Sequence, residues 1–562
     1  MAELALVINI IETVKLTYQV ARYVHETIQS AKNEDMEQKQ ISSDFKIELL
    51  FLGSFRRYFE KAQGAIAYDQ ALDELWLLEI EQVIGHLKRD FSEYEDYASK
   101  DGSKSLGGSI SSLPLLTKPT TSRSPSAPRV DANADEESSS MSQKLRDGQS
   151  KIYRKAKWAL FDRQNLRNIV ERFQKRNKTL RKILQFAMAG ILQQIAQHGQ
   201  GLSSLQQDQD AVALGLTTWA EIRQIKDQPE RIDEDYSIGN CTVDTIEDAS
   251  TIRLGTLCTT VQKARLGKNK IRKESVLVEY KTYPPAPEGI NDANSEDLDQ
   301  RIGKRVNQLA SLLSTAGSNA LGTLPFRGFL KEPDQLRYAF VFNMPGGTTE
   351  TKPDSLHHMI ESPVLGRLWS LSDRFNLAVG LSKTIGTFHM FEWVLKGFQS
   401  SSVVFCYDEQ TTKPQLGRPY IAGFEYIRPV SSSTVGQPLD MSEKTTLYCH
   451  PDVQEEPNIE FAKIHDLYSL GVVLLEIGLW LTARQILQQA RPPRPSKPGE
   501  IREEYVRKAN SKLPLRMGQA YTEAVVACLE SRHKYQAIKP DIFLNVFDKE
   551  IVQKLSAKRL LG

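Results

Sequence analysis

Few residues of this 562-residue chain stand where side chains could do chemistry. An acid and a hydroxyl, Asp466 and Ser469, form an Asp-x-x-Ser-x-Gly pattern at the head of a run, Leu470 to Trp480, that is apolar nearly all round. Such a run reads as a helix buried on every side, a scaffold for a domain. Five cysteines (Cys241, Cys258, Cys406, Cys449 and Cys528) lack Cys-x-x-Cys spacing. That argues against a zinc site or a disulfide framework and fits a reducing compartment. Between Lys151 and Lys182, twelve Lys and Arg face only Asp162 and Glu171, a local charge of +10 in a chain whose total is +2. The bland reading is a solvated helix face. The functional one is a polybasic surface for anionic lipid headgroups, each charge contributing about 1 kcal/mol. No aromatic interleaving accompanies the charge, so nucleic acid is not an expected partner.

The elements that must carry these residues fall into two kinds. Over residues 1–98 the periodicity is helical. One seam runs through Val7, Ile11, Val14, Tyr18, Ala21 and Ile28, skipping His25. A second helix starts near Ser43 with Phe45, Leu49, Leu52, Phe55 and Phe59 on one side. A third starts near Ala71 with Leu72, Trp76, Ile80, Val83, Leu87 and Phe91. Residues 99–150 are Ser-, Gly- and Pro-rich and read as a disordered insertion, with Ser124-Pro a possible phosphorylation site. A long helix follows Asp162, burying Leu166, Ile169, Val170, Phe173, Leu180 and Leu184, and completes an antiparallel bundle over 1–215. Residues 216–250 are acidic and read as a connector.

From 251 to 562 the pattern turns mixed. Strand-like runs at 251–257 and 275–283 precede a helix with Leu298, Ile302, Val306, Leu309 and Leu312. Strands at 324–329 and 338–343, a Gly-bearing turn at 343–347 and a helix over 371–389 follow. The composition, 40% hydrophobic and 25% charged, is that of soluble globular protein, and no run of 18 apolar residues predicts a membrane span. Leu4 to Ile11 lacks a basic n-region, which argues against a secretory signal. The expected location is cytoplasmic, peripheral to the plasma membrane on activation.

The helical start, the tryptophan-bearing third helix and Trp158-Ala-Leu-Phe-Asp162 before a basic helix resemble the HeLo domain of fungal prion-inhibition and heterokaryon-incompatibility proteins. The resemblance implies a bundle whose N-terminal segment, here Leu4, Val7, Ile8 and Ile11, inserts into membrane and kills the cell when triggered. The C-terminal pattern resembles a bilobal protein kinase. Asp466 and Gly471 match that family's central-helix motif, whose aspartate holds the catalytic loop by its backbone. His450-Pro-Asp452 matches the end of the activation segment, with Arg532 as the partner of Asp452.

The chemical positions do not match. Gly255 and Gly267 lie twelve residues apart, with no Gly-x-Gly-x-x-Gly to cradle phosphates. The ATP-holding lysine is Lys281 or is displaced by Glu279. The base position is Gly397, and the two metal-binding positions are Ser402 and Gly423. The resemblance therefore implies a pseudokinase, with no magnesium cage and no cofactor expected, ATP being the one candidate. An active atypical Ser/Thr kinase would have to recruit Asp408 or Glu425, and a non-catalytic scaffold is the third reading. In the leading one, a cell-death or self/non-self recognition effector, the pseudokinase senses a protein partner and restrains the bundle, which oligomerises on activation. The acidic connector is a candidate mask for the basic helix. No prion-like repeat follows the last helix, so amyloid templating through this tail is not expected.

Overall fold

The computed structural model describes residues 2–29, 36–65, 74–102 and 163–197. From 207 onward it describes all but 228, 230–231, 233–234, 240, 246–250, 263–268, 284–291, 425–426, 431–442, 457–458, 491–494, 539 and 557–562. The chain forms two compact units, Met1–Ala187 with Asp208–Leu214, and Met188–Gln207 with Gly215–Gly562.

The first unit is helical: α1 (Ala2–Gln29), α2 (Met36–Ala65), α3 (Glu74–Gly102), α4 (Arg163–Gln197, its part up to Ala187 lying here) and the short α5 (Gln209–Ala213). α1 packs along both α2 and α3. Its buried seam is Val7, Ile10, Val14, Thr17, Ala21, Val24 and Ile28. The alternating three-and-four step is the expected one, but Ile10 and Val24 take the inner positions, while Ile11 and Tyr18 are half-buried. His25 is buried too, its ring stacked on Phe45. At the centre Phe45, Phe91 and Phe173 meet edge-on, with centroids 5.2–6.1 Å apart. Such pairs add roughly 0.5–1.5 kcal/mol beyond the area they bury.

Two boundaries move. α2 begins seven residues before Ser43, because Ile41 extends its apolar face by one turn. Residues 99–102, assigned from composition to the insertion, are the last turn of α3. Residues 103–162, with Ser124, Trp158 and the basic run as far as Asp162, lie outside the described residues, as do the side chains of Leu4, Leu72 and Trp76.

The basic face of α4 is tied into the bundle. Arg163 and Arg167 both pair with Glu37. Arg176 reaches Asp90 at 2.9 Å, with Arg172 at 4.0 Å. Arg181 lies 3.2 Å from the buried Glu48, which also accepts from Asn177 Nδ2 at 2.8 Å. Each exposed pair contributes about 0–1 kcal/mol. Glu48, desolvated and twice satisfied, is the one whose loss would cost most.

The second unit opens with α6 (Leu216–Asp227) and β1 (Cys241–Thr245). The stretch 216–250 is thus not simply a connector. Leu216, Ala220, Ile222 and Ile225 recur at helical spacing and are buried, a pattern masked by the surrounding acids. Trp219 stacks on Phe391 at 4.7 Å. Then come β2 (Arg253–Gln262), β3 (Asn269–Thr282), α7 (Asp292–Leu321), β4 (Phe326–Glu332) and β5 (Arg337–Asn343). Their sheet is antiparallel, in the order β1-β2-β3-β5-β4. One face buries Leu257, Val276, Val278, Ala339 and Val341. Strand alternation turns Leu277, Glu279 and Lys281 to the other face, opposite Phe342, Phe340 and Tyr338.

The rest is mainly helical, with two further small sheets of two and three short strands among the described residues; its main helices are α8 (Leu356–Glu361), α9 (Leu371–Met390), α10 (Pro451–Glu455), α11 (Lys463–Leu479), α12 (Ala483–Gln488), α13 (Pro498–Met517) and α14 (Gln519–Leu529). Every residue of α11 from His465 to Leu479 is buried, as the all-round apolar run requires. α9, α13 and α14 pack around it. A Cβ on Gly471 would stand 2.8 Å from Cys528 Cβ and 3.0 Å from Leu529 N, so only glycine lets α11 and α14 approach this closely. No helix among the described residues is long and apolar enough to cross a membrane.

Phe173→Ala removes the ring shared by three helices and should cost about 3–5 kcal/mol. Urea unfolding of the full chain should show the transition of the first unit moving to lower denaturant, with that of the second in place.

Candidate functional site

The site is organised from α11 upward. Asp466, with no exposed surface, accepts three donors: Leu395 N–H at 2.8 Å, Lys396 N–H at 3.0 Å and His389 Nε2 at 3.1 Å. It braces the loop after α9, as the motif predicts. The loop needs bracing because Glu392 (φ 60°), Lys396 (φ 45°) and Gly397 (φ 142°) all take positive φ. Non-glycine residues there cost roughly 1–3 kcal/mol each unless their surroundings hold them. Burial keeps His389 neutral, lowering its pKa despite the neighbouring carboxylate.

Lys396 is itself buried, and its ammonium is brought down to about 8, by burial first and then by the Arg428 and Lys281 cations, with Cys449 opposing. Burial likewise lowers Arg428. Lys281 is only half-buried. The strand position offered to Lys281 or Glu279 is taken inward by the acid. Glu279 is 3% exposed and accepts Gly423 N–H at 3.0 Å and Phe424 N–H. Gly423 has φ 88°, and a Cβ there would lie 2.9 Å from Ser402 Oγ. The structure thus brings Ser402 and Gly423 together, with the Glu279 carboxylate holding the backbone amides of Gly423 and Phe424. Gly397 carries no side chain to the site. Asp408 is committed to its own turn, accepting from Thr411 N at 2.8 Å, Gln410 N at 3.1 Å and Gln415 Nε2 at 3.2 Å. Glu425 lies outside the described residues.

Beside this loop opens a cavity of about 960 Å³, walled by Ile252, Thr349, Asp354, His357, Val404 and Tyr448 among others. Three features here escaped the sequence reading. Tyr448 O–H, from the turn before α10, donates to Glu476 of α11 at 2.6 Å. Burial pushes the Glu476 carboxyl up to about 7. His450, Asp452 and His465 cluster closely enough to suggest a metal. Their hydrogen bonds say otherwise: His450 Nδ1 accepts Asp452 N–H at 3.1 Å, and His465 Nδ1 accepts Ala462 N–H at 3.0 Å. Each remaining Nε2 must then carry the proton, whereas a metal-bound imidazole donates from its other nitrogen. The histidines cap helices α10 and α11, and Asp452 pairs with Arg532 as expected. The spacing His450-Pro-Asp452 and His465-Asp466 was the available signal.

Residues 15–214 match the family described as prion-inhibition and propagation, HeLo. Residues 343–559 match a domain of unknown function, DUF7580, which takes in the braced loop, Gly423 and α11. No curated protein matches the chain. The N-terminal part is therefore similar to the prion-inhibition and propagation family over residues 15–214, and it is followed by a C-terminal part of antiparallel sheet and helices.

Asp466→Ala leaves three buried donors without acceptors, at roughly 1–3 kcal/mol each. Chemical denaturation should show the second unit losing at least about 3 kcal/mol. A loss under about 1 kcal/mol would mean that the brace is ornamental. A pH effect follows from the capping histidines. Burial holds His450 and His465 down to about 4 against an ordinary 6.5. The unfolded chain binds these protons first, so their contribution is full above about pH 6.5 and is lost as pH falls towards 4. Glu476, raised in the fold, acts oppositely, its contribution fading as pH rises from 4.5 towards 7. Melting at pH 7.5 and 5.0 separates the two: in His465→Asn the loss on acidification should shrink.

Proposed function

We propose that this protein is a signalling effector of the cell-death and self/non-self recognition kind. In this reading a kinase-like but non-catalytic domain, residues 251–562, senses a protein partner and restrains the HeLo bundle of residues 1–215. The observation that carries the non-catalytic half is Glu279. Its carboxylate takes the two amides at Gly423 and Phe424, on a strand position where ATP chemistry needs a cation. The brace at Asp466, the Asp452–Arg532 pair and the close packing at Gly471 support a kinase-like scaffold kept for its shape. The HeLo match supports the signalling class.

The bundle's output is membrane binding by its N-terminal segment and the basic helix, with self-association on activation. In the packed bundle Val7 is 2% exposed, while Ile8 is 39% exposed and Ile11 half-buried. Insertion therefore requires α1 to leave α2 and α3, which is what a restraint would prevent. The same burial favours a second reading, in which the bundle stays closed and serves as a scaffold for protein contacts.

Two measurements on the full chain decide. Magnesium-ATP should leave the melting temperature unchanged, and Gly423→Asp should lower it without conferring ATP binding. A magnesium-dependent rise in melting, or transfer of phosphate to protein, would restore the enzyme reading. Anionic vesicles should leak dye in the presence of Asp466→Ala, whose restraint is loosened, and not with wild type. Absence of leakage from both, with the bundle's helical signal intact, would leave the scaffold.

A further inference from the structure

We infer that His357, at the cavity wall, and Glu476, buried in α11, share one proton through the hydroxyls of Ser400 and Tyr448, so that the occupant of the cavity sets a charge inside the helical body. The inference stands apart from the signalling proposal and needs no kinase likeness.

The geometry is a continuous chain. His357 Nε2 lies 3.5 Å from Glu361 Oε1, and its Nδ1 lies 3.4 Å from Ser400 Oγ. Ser400 Oγ is 2.9 Å from Tyr448 Oη, which donates to Glu476 Oε1 at 2.6 Å. Ser400 and Glu476 have no exposed surface, and Tyr448, 6% exposed, borders the cavity. His357 and Glu361, by contrast, are 38% and 49% exposed in their side chains and line the cavity.

Two proton arrangements keep every hydrogen bond of the chain. With Glu476 ionised, Tyr448 donates to it, Ser400 donates to Tyr448, and His357 donates from Nδ1 to Ser400 and from Nε2, as an imidazolium, to Glu361. With Glu476 protonated, each bond reverses: Glu476 donates to Tyr448, Tyr448 to Ser400, and Ser400 to the bare Nδ1 of a neutral His357. Passing between the two breaks one N–H bond on His357 and forms one O–H bond on Glu476. The two intervening hydroxyls each give up one proton and gain one, so the balance is exact. The proton on Glu476 belongs on Oε1. Oε2 has no partner among the described residues, and a buried O–H there would go unsatisfied. Oε1 keeps Ala483 N–H at 2.7 Å in both states.

The surroundings place the exchange near neutral pH. Burial raises Glu476 to about 7, and Glu361 repels its charge. The other titratable group facing it is Tyr505 of α13, pushed far up by burial and neutral throughout. At the cavity end, Asp354, His358, Lys352 and Arg484 share the wall with His357. An anion bound beside His357 holds the imidazolium and ionises Glu476. A cation on Glu361 does the reverse.

The test is a pH titration of the full chain carrying labelled histidine, with His357 assigned by loss of its NMR signal in His357→Asn. In wild type the His357 signal should move in two steps, the pair's rather than either residue's own. In Tyr448→Phe, which keeps the ring and removes the hydroxyl, one step should remain, its midpoint displaced by about half a pH unit or more. Glu476→Gln should match it. Equal midpoints in wild type and both variants would overturn the inference. Should these buried changes unfold the helical body, His357→Asn, at the cavity edge, carries the test alone. The infrared carboxyl band of Glu476 must then titrate at a different pH from wild type, and an unmoved band overturns the inference equally.

Discussion

A carboxylate with no exposed surface is tolerable only when its surroundings replace the water it has lost. Asp466 meets that condition with two backbone amides and a neutral imidazole, and much of the second unit follows from it. The amides fix the loop after α9, including left-handed Lys396 and Gly397, which would otherwise relax. The imidazole fixes the end of α9 against α11. α11 in turn must be buried on all sides to keep the carboxylate dry, which is why it is apolar nearly all round. Gly471, five residues on, lets α14 close over the same helix.

Above that brace the chemistry and the packing part company. Gly423 and Ser402 lie against each other beneath the sheet residue Glu279. They fit each other, since any side chain at Gly423 would collide with Ser402 Oγ and strain a backbone at φ 88°. Glu279 then uses its charge on the amides of Gly423 and Phe424 instead of leaving them to a ligand. An acid placed at position 423 would face a steric clash, an unfavourable φ and a second carboxylate nearby.

The sequence was most legible where one physical demand dominates a long stretch. All-round burial of α11, the Asp466 brace, the Asp452–Arg532 pair and the strand–helix order of the second unit were all readable. Finer register was not. Ile10 against Ile11, and Val24 with His25, differ by one step around α1, and composition does not distinguish them until α2 and α3 are in place. Lys281 and Glu279 share a strand face, so alternation alone could not say which turns inward; the amides at 423 and 424 decide it. The Tyr448–Glu476 bond joins residues 28 positions apart, and the His450 and His465 rings meet across 15, along a path that no local pattern records. In α6 the acids of the neighbouring stretch hid an ordinary apolar stripe.

The basic helix shows how a charge count misleads in the same way. Five arginines of α4 are close to Glu37, Asp90 or Glu48, acids on α2 and α3, far away in sequence. Five cations against three acids leave a net +2 among these pairs, where the sequence alone suggested a uniformly cationic face. Lys175 and Lys178, exposed on the same helix, add to that charge, so the pairing to Glu37, Asp90 and Glu48 neutralises only part of the face. Separating α4 from α2 and α3 would remove the opposing acids and, by the same movement, uncover the Phe45–Phe91–Phe173 core. The arginine pairs and the aromatic core are thus held by the same packing of α4 against α2 and α3, and one movement would undo both.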